Sequence, residues 1–321
     1  MSNSERILVT GAAGQIGSEL VPELQKKYGK DNIISIDIHS PEKWDGPLEI
    51  FDILDKDKVE QLIKKNNITS IYHLVSILSA SGEKNPQKTW QVNMASLKNI
   101  LEFARQYKIK VFWPSSIAAF GPTTPNNLTP QETIMVPTTM YGVTKVAGEL
   151  LCNYYNLKFG VDVRSIRYPG IISWKTEPGG GTTDYAVAIY YEAIKQKKYT
   201  CFVREDTVLP MMYMDDAIRA SLEIMEADSS KIKTRTSYNL AAMSFSAKEL
   251  AEAIKKYIPE LICDYKPDNR QQIADSWPKR LDDSAARKDW GWKHKFDLDK
   301  MTVEMLKNLK IKFNQGGQNG S

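Results

Sequence analysis

The chain has 321 residues, 42% of them hydrophobic, 26% charged and 10% aromatic, with a formal net charge of +4. That composition suits a globular protein with ample core material, and the lysines are too scattered to argue for nucleic acid as a partner. No stretch approaches the ~18 consecutive apolar residues of a membrane helix, so no membrane partner is expected. The polar residues Met1 to Arg6 run straight into a strand without a visible targeting peptide. A cytoplasmic location is the expectation, with the mitochondrial matrix after removal of a presequence left open. Cys152, Cys201 and Cys263 lie far apart, which speaks against a disulfide framework and fits a reducing compartment. His39, His73 and His294 fall in no C-x-x-C or H-E-x-x-H spacing, so no metal is expected.

In chain order, Arg6–Thr10 is an apolar run ending in glycine and reads as a buried parallel strand. Gln15–Lys27 has helical spacing, Ile33–Asp37 is a second strand, and a helix over Val59–Ile63 precedes a strand at Ser70–Leu74. Trp90–Tyr107 reads as one long helix, Val111–Pro114 as a strand, Tyr141–Phe159 as a helix and Asp162–Arg167 as a strand. This alternation predicts βαβ units and a parallel sheet. Beyond Tyr168 the regularity weakens. A Gly-rich loop over Gly179–Thr183 leads into a helix at Asp184–Lys195. Further helices are expected at Asp215–Met225, Ala247–Tyr257, Asp282–Lys288 and Leu298–Leu309, with a strand at Ser237–Leu240. The expected architecture is an α/β doubly wound parallel sheet from residues 1–175 plus about 213–244. A smaller, discontinuous α/β lobe takes about 176–212 plus 245–312, and the Gly/Gln/Asn-rich tail 313–321 is expected to be disordered.

Two constellations carry chemistry. Gly11, Gly14 and Gly17, with Gln15 and Ile16 between them, follow the first strand and open the first helix. Glycines there let the backbone approach a pyrophosphate, and the helix N-terminus offers unpaired N–H groups at its positive end. Asp37 closes the second strand about 20 residues after the last glycine, where a carboxylate accepts from ribose hydroxyls and repels a 2′-phosphate. NAD is favoured over NADP on this ground. The second constellation is Tyr141 and Lys145, which share a helix face at i and i+4. A nearby ammonium stabilises phenolate, so the spacing predicts a Tyr141 whose pKa falls from about 10 and which serves as a general base. Ser116 closes the preceding strand in a Pro114–Gly121 segment that resembles the serine signature of extended short-chain dehydrogenases, and the resemblance implies that it hydrogen-bonds the reacting oxygen.

The glycine spacing together with Ser116, Tyr141 and Lys145 resembles the extended, epimerase-like short-chain dehydrogenase/reductase superfamily. The resemblance covers residues 6 to 225 and implies a Rossmann fold. It also implies an adenine contact at Asp52 and Ile53, a cofactor-side loop at Leu74, Val75 and Ser76, and a supporting Asn93. Ser115, Tyr168 and Pro169 are implied near the nicotinamide, with Lys145 holding its ribose. Most extended members act on nucleotide sugars and carry Asn where this chain has Gly170, and Arg where it has Val208. Without those groups a diphosphate is poorly held, which favours a small substrate. The strings around Phe112–Ala118, Gly179–Ala186, Met211–Ala217 and Ala274–Pro278 are similar to the short-chain-type L-threonine 3-dehydrogenases. That resemblance implies NAD-dependent oxidation of the C3 hydroxyl of L-threonine to 2-amino-3-oxobutanoate, which can lose CO₂ to give aminoacetone. It also implies a homodimer through the helix carrying Tyr141 and the helix before it.

For the substrate's carboxylate the candidates are the N–H groups near Gly181 and the hydroxyls of Thr182, Ser79 and Ser81, with Trp277 as wall or lid. Each has a plainer reading: Thr182 as a helix cap, Ser79 as a cofactor contact, Trp277 as a core aromatic. The Met211, Met212 and Met214 cluster reads as packing. Two other functions stay open at this point, a nucleotide-sugar epimerase or dehydratase with the same triad and a non-catalytic dinucleotide sensor. Gly170 and Val208 speak against the first, and the joint presence of Ser116, Tyr141 and Lys145 against the second.

Overall fold

The computed structural model describes residues 5–318. Its centre is β1 (Ile7–Thr10), four residues buried on both faces. Around it β2 (Ile33–Asp37), β3 (Leu48–Ile50), β4 (Ser70–His73), β5 (Lys110–Phe112) and, further along, β7 (Val163–Arg164) complete a parallel sheet in the order β3-β2-β1-β4-β5-β7. The edge strand β3 escaped the sequence analysis because it is short, polar in the middle and largely exposed. Two apolar clusters lie on the two sides of the sheet, one around Ile7, Val9, Leu20 and Trp292, the other around Leu8, Ile71, Leu101 and Val111. Successive side chains of β1 point to opposite faces, so its whole apolar run is used.

The helices covering this sheet are α1 (Gly17–Tyr28), α2 (Lys56–Asn66), the short α3 (Ser79–Gly82) and α4 (Pro86–Trp90), then α5 (Ser96–Tyr107) and α6 (Met140–Phe159). The single helix expected over Trp90–Tyr107 is interrupted by a π-turn at Gln91–Ala95. Its cause is tertiary. Asn93, inside the turn, uses its amide on the backbone N–H and C=O of Ile77 and on the Thr144 hydroxyl, at 2.8–3.1 Å. Turns of this kind concentrate at functional sites.

The strand expected at Asp162–Arg167 is two strands. β7 stays in the main sheet, whereas β8 (Ile166–Tyr168) leaves it and lies between β6 (Ser115–Ser116) and β12 (Tyr238–Asn239). The register sets Ser115 opposite Arg167 and Ser116 opposite Tyr168. Beyond it β9 (Gly170–Ile172), β11 (Val208–Tyr213) and β13 (Met243–Ser246) form a mixed three-stranded sheet, and β10 (Lys198–Cys201) pairs with β14 (Ile262–Tyr265). The remaining helices are α7 (Tyr185–Gln196), α8 (Met214–Glu226), α9 (Ala247–Lys255), α10 (Arg270–Asp275), α11 (Ser284–Trp290) and α12 (Leu298–Gln318). A third apolar cluster joins α7, α9 and α12 with Trp277. The tail expected to be disordered is helical through Gln318, with residues 319–321 outside the described part. Phe313 meets Tyr191 edge-on at 5.8 Å, and that docking carries α12 past the point where composition alone would end it.

Gly148 lets α6 approach the sheet: a Cβ there would lie 2.3 Å from the Trp113 ring. Gly148→Ala is therefore expected to destabilise the protein by about 1–3 kcal/mol through overpacking, whatever it gains in helix propensity. Urea unfolding of the variant beside the wild type measures it.

Candidate active site

The Gly-rich turn shows why three glycines stand there. Gly11 has φ of +70°, and its Cα is so close to Val75 that a Cβ would touch the Val75 nitrogen at 3.0 Å. A Cβ on Gly17 would lie 2.4 Å from the Gly11 carbonyl oxygen. α1 begins there with no side-chain cap; the Ser18 and Glu19 N–H groups donate to the Gly14 and Ile16 carbonyls, and the positive end of the helix is presented at the turn. Asp37 is buried at the end of β2, its two oxygens accepting from the N–H groups of Ala13 and His39 at 2.9 and 3.0 Å. The carboxylate is thereby held at the mouth of the turn, each oxygen keeping a lone pair for a further donor. Ser76 Oγ is buried without a partner on the wall that continues from this turn.

One cavity gathers most of the predicted residues. Gln15, Ile16, Leu74 and Ser76 line the cofactor side; Ser115, Ser116, Tyr141 and Lys145 the middle; Tyr168 and Pro169 the floor. Ser79, Gly181, Thr182 and Trp277 close the far side. Leu78, Gly170, Thr183 and Asp184, unassigned by the sequence analysis, also line it. Trp277 is both a wall and a member of the apolar cluster, so its two readings coincide. Met211, Met212 and Met214 are wholly buried packing residues.

Two expectations, at Ser81 and at the Gly181 N–H, are corrected. Ser81 is exposed on the outer side of α3 and does not line the cavity; on so short a helix only Ser79 turns inward. The Gly181 N–H, expected to meet a carboxylate, already donates to Asp184 at 2.7 Å, as does that of Gly180. The Asp184 side chain folds back over the loop that precedes α7, which the sequence pattern does not reveal. Asn93 lies behind the cavity wall, its amide holding the Ile77 backbone in the supporting role the resemblance implies. Ile53 lies in the core, and Asp52 accepts from the Leu54 N–H at 2.9 Å. Tyr168 lines the floor with its ring, while its hydroxyl bonds the Ala217 carbonyl and Ser221.

The electrostatics of the pair on α6 also differ from expectation. Tyr141 is buried, and desolvation pushes its phenol up to about 12, opposed by the Ser116 hydroxyl beside it. Lys145 does not offset this, because burial depresses the ammonium itself to about 7. Its Nζ donates to the Pro114 carbonyl at 2.7 Å and sits 4.6 Å and 5.2 Å from the ring centres of Trp113 and Tyr141. Proximity at i+4 was legible in the sequence; that both groups would lose their water was not. His73 is a buried strut, held down at about 3 by desolvation. Its Nδ1 pairs with Thr10 and its Nε2 with Ser96, whose hydroxyl in turn donates to the Val92 carbonyl at the π-turn.

The comparisons with known proteins agree with this geometry. The description "NAD dependent epimerase/dehydratase family" matches residues 7–241. An uncharacterized epimerase/dehydratase of Staphylococcus haemolyticus is 51% identical over 96% of this chain and 98% of its own. Among solved structures, an L-threonine dehydrogenase from Phytophthora infestans superposes with a TM-score of 0.94 at 51% identity, covering 96% of this chain and 100% of the other. A monomeric L-threonine 3-dehydrogenase from a metagenome superposes with a TM-score of 0.93 at 53% identity, covering 95% and 98%. With the Gly-rich turn, Asp37 and the Ser116/Tyr141/Lys145 wall inside the matched span, the chain belongs to the NAD dependent epimerase/dehydratase family.

Proposed function

We propose that the protein oxidises the C3 hydroxyl of L-threonine to a ketone with NAD. The observation that carries this reading is the single cavity in which Ser116, Tyr141 and Lys145 face Ser79, Thr182 and Trp277 across a space next to the Gly-rich turn. Support comes from the likeness to solved threonine dehydrogenases over nearly the whole chain. NAD, when bound, supplies the two-electron acceptor for the hydride that leaves C3. The cradle fits it: Gly11 at a positive φ and Gly17 where a Cβ would collide, an uncapped helix start, Asp37 for a ribose diol and the orphaned Ser76 hydroxyl. In this reading Tyr141, as the phenolate, accepts the C3 hydroxyl proton and Ser116 fixes the alcohol oxygen against it; Lys145 favours the phenolate only while protonated, which its burial opposes. The Ser79 and Thr182 hydroxyls, 3.5 Å apart on the side that faces the triad, are the donors for the substrate carboxylate, and Trp277 covers it.

The wall at Gly170 supports a small substrate over a nucleotide sugar. A Cβ there would meet Met211 Sδ at 2.4 Å and the Thr183 methyl at 2.8 Å. The space an asparagine side chain would need is filled by those two residues. In the same reading, residues 1–175 plus 213–244 carry the cofactor, and 176–212 plus 245–312 form the lobe over the substrate.

A homodimer through α6 is part of the proposal. Val143, Leu150, Tyr154 and Leu157 are exposed at helical spacing on one face of α6, and Trp90 at the end of α4 is exposed as well. An apolar stripe of this kind normally meets a partner. Leu157, with 77% of its surface exposed, is the most open of the four. Leu157→Glu is expected to shift the protein to monomer in light scattering; a wild type already monomeric, like the metagenome relative, would overturn this part.

NADH absorbance on mixing the protein with NAD and L-threonine tests the activity, with L-serine, D-threonine and NADP as comparisons. NADH formation is expected with L-threonine and NAD; none from any amino acid by a protein that binds NAD would sink the reading. Tyr141→Phe is expected to keep NAD binding and to lose about 10²–10⁴-fold in kcat. Lys145→Met is expected to abolish turnover and yet stabilise the cofactor-free protein, since it removes a desolvated charge. The sign follows from linkage. Between pH 7 and 10.5 the unfolded lysine binds a proton that the folded one has lost, so wild-type stability rises with pH over that window. The gain in Tm from Lys145→Met should be largest below pH 7 and shrink as pH rises through it.

A further inference from the structure

Behind the cavity lies a buried ion pair that the chemistry above does not use. Glu149 is fully buried one turn beyond Lys145 on the same face of α6. Its carboxylate accepts from Arg167 Nε at 2.9 Å and from Nη2 at 2.7 Å, a two-point pairing. The first of its oxygens also accepts from Ser115 Oγ at 2.5 Å. Arg167 is buried as well. Its remaining nitrogen donates to the Gln131 carbonyl at 3.0 Å and to Asn239 Oδ1 at 2.9 Å, and the guanidinium lies 5.1 Å from the Phe120 ring centre. Every element that must meet at the site, β6, β8, β12 and α6, thus ends on one carboxylate and its partner.

We propose that Glu149, locked by Arg167, is a positioning residue that ties the Ser115–Ser116 strand end to the Tyr141/Lys145 helix and sets a buried negative charge facing Lys145. The proposal rests on the reading of Tyr141 and Lys145 as the chemical pair. Two arguments support it beyond packing. An ion pair as buried as this one contributes little net stability compared with apolar residues of the same shape, so its presence here fits a role in geometry and charge. The charges around Lys145 are also few. On α6 they are Tyr141, Glu149 and Cys152; β4 presents His73, held neutral by burial; and Arg167 of β8 reaches Lys145 through Glu149. Among these Glu149 is the group that favours the ammonium most, against the burial that disfavours it.

The test reads Lys145 directly in the cofactor-free protein. Lysine carrying ¹³C at Cε is followed by NMR against pH, with Lys145→Met assigning the signal. In the wild type the signal titrates near neutrality. In Glu149→Gln, which keeps the shape and loses the charge, the titration is expected to move down by about one pH unit. In Arg167→Lys, which keeps both charges and loses the two-point grip, it should stay close to the wild-type position. Both variants are expected to lose about tenfold or more in kcat for L-threonine, because Ser116 loses its fixed distance to Tyr141. A Lys145 titration in Glu149→Gln that coincides with the wild type, beside a lowered Tm, would reduce the pair to a structural tie and overturn the proposal. Should Glu149→Gln not fold, the double variant with Arg167→Gln leaves no charge unpaired, and a downward shift of the same sign is expected. The titration needs no substrate, so a wild type that fails to oxidise L-threonine refutes the functional reading while leaving this test to stand or fall by itself.

Discussion

The Lys145 ammonium is enclosed in the protein interior by one backbone carbonyl, two aromatic rings and a glutamate one turn away. Removing an ammonium from water is costly, and the protein offsets the cost only in part: the group is depressed to about 7 and is poised to give up its proton at neutrality. The same desolvation raises Tyr141. Burial thus favours the neutral form of both groups in the cofactor-free protein. Charge added in the neighbouring cradle bears on both groups at once, because little solvent screens it.

This burial depends on where the strands end. The main sheet stops at Phe112 on one strand and Arg164 on another, and the chain then passes into the small sheet that pairs Ser116 with Tyr168. The step puts Pro114, whose carbonyl receives the lysine, between the two sheets. It also sets the serine next to the tyrosine on α6. Ligand sites of open α/β folds lie at the carboxyl ends of the strands, and here the ends are prolonged so that they supply the chemistry as well as the opening. The π-turn at Asn93 serves the same end from the other side, fastening the Ile77 loop to Thr144, the residue just before Lys145.

Over the cavity the fit is made by absence. Gly170 has no side chain, and Met211 and Thr183 occupy the room one would take. The Gly179–Thr183 loop is held by the Asp184 carboxylate on the N–H groups of Gly180 and Gly181, and the Ser79 and Thr182 hydroxyls meet at 3.5 Å beside it. The lining of this cavity includes Lys145 and Asp184 but, among the described residues, no arginine for a two-point grip on a diphosphate, which is the ground for the proposed small substrate.

Ser116 was picked out by a family resemblance, while local pattern was enough to read the parallel sheet, the glycine turn, Asp37 and the Tyr141/Lys145 pair from residues alone. Each is a short-range regularity: an apolar run for a strand buried on both faces, i and i+4 for neighbours on a helix, glycine where the backbone must pass close to itself. Glu149 carries the same i+4 signal from Lys145, but in the sequence it looks like any surface glutamate, because nothing local says that its helix face is buried. The division of Asp162–Arg167 between two sheets, the π-turn at Asn93, the outward turn of Ser81 and the extension of α12 through Gln318 were decided by contacts between segments far apart in the chain. So was the reversal at Tyr141. Sequence placed a cation beside it and implied a lowered pKa, whereas the fold removed the water from both groups, and desolvation is a property of the enclosing structure that adjacency along a helix cannot express.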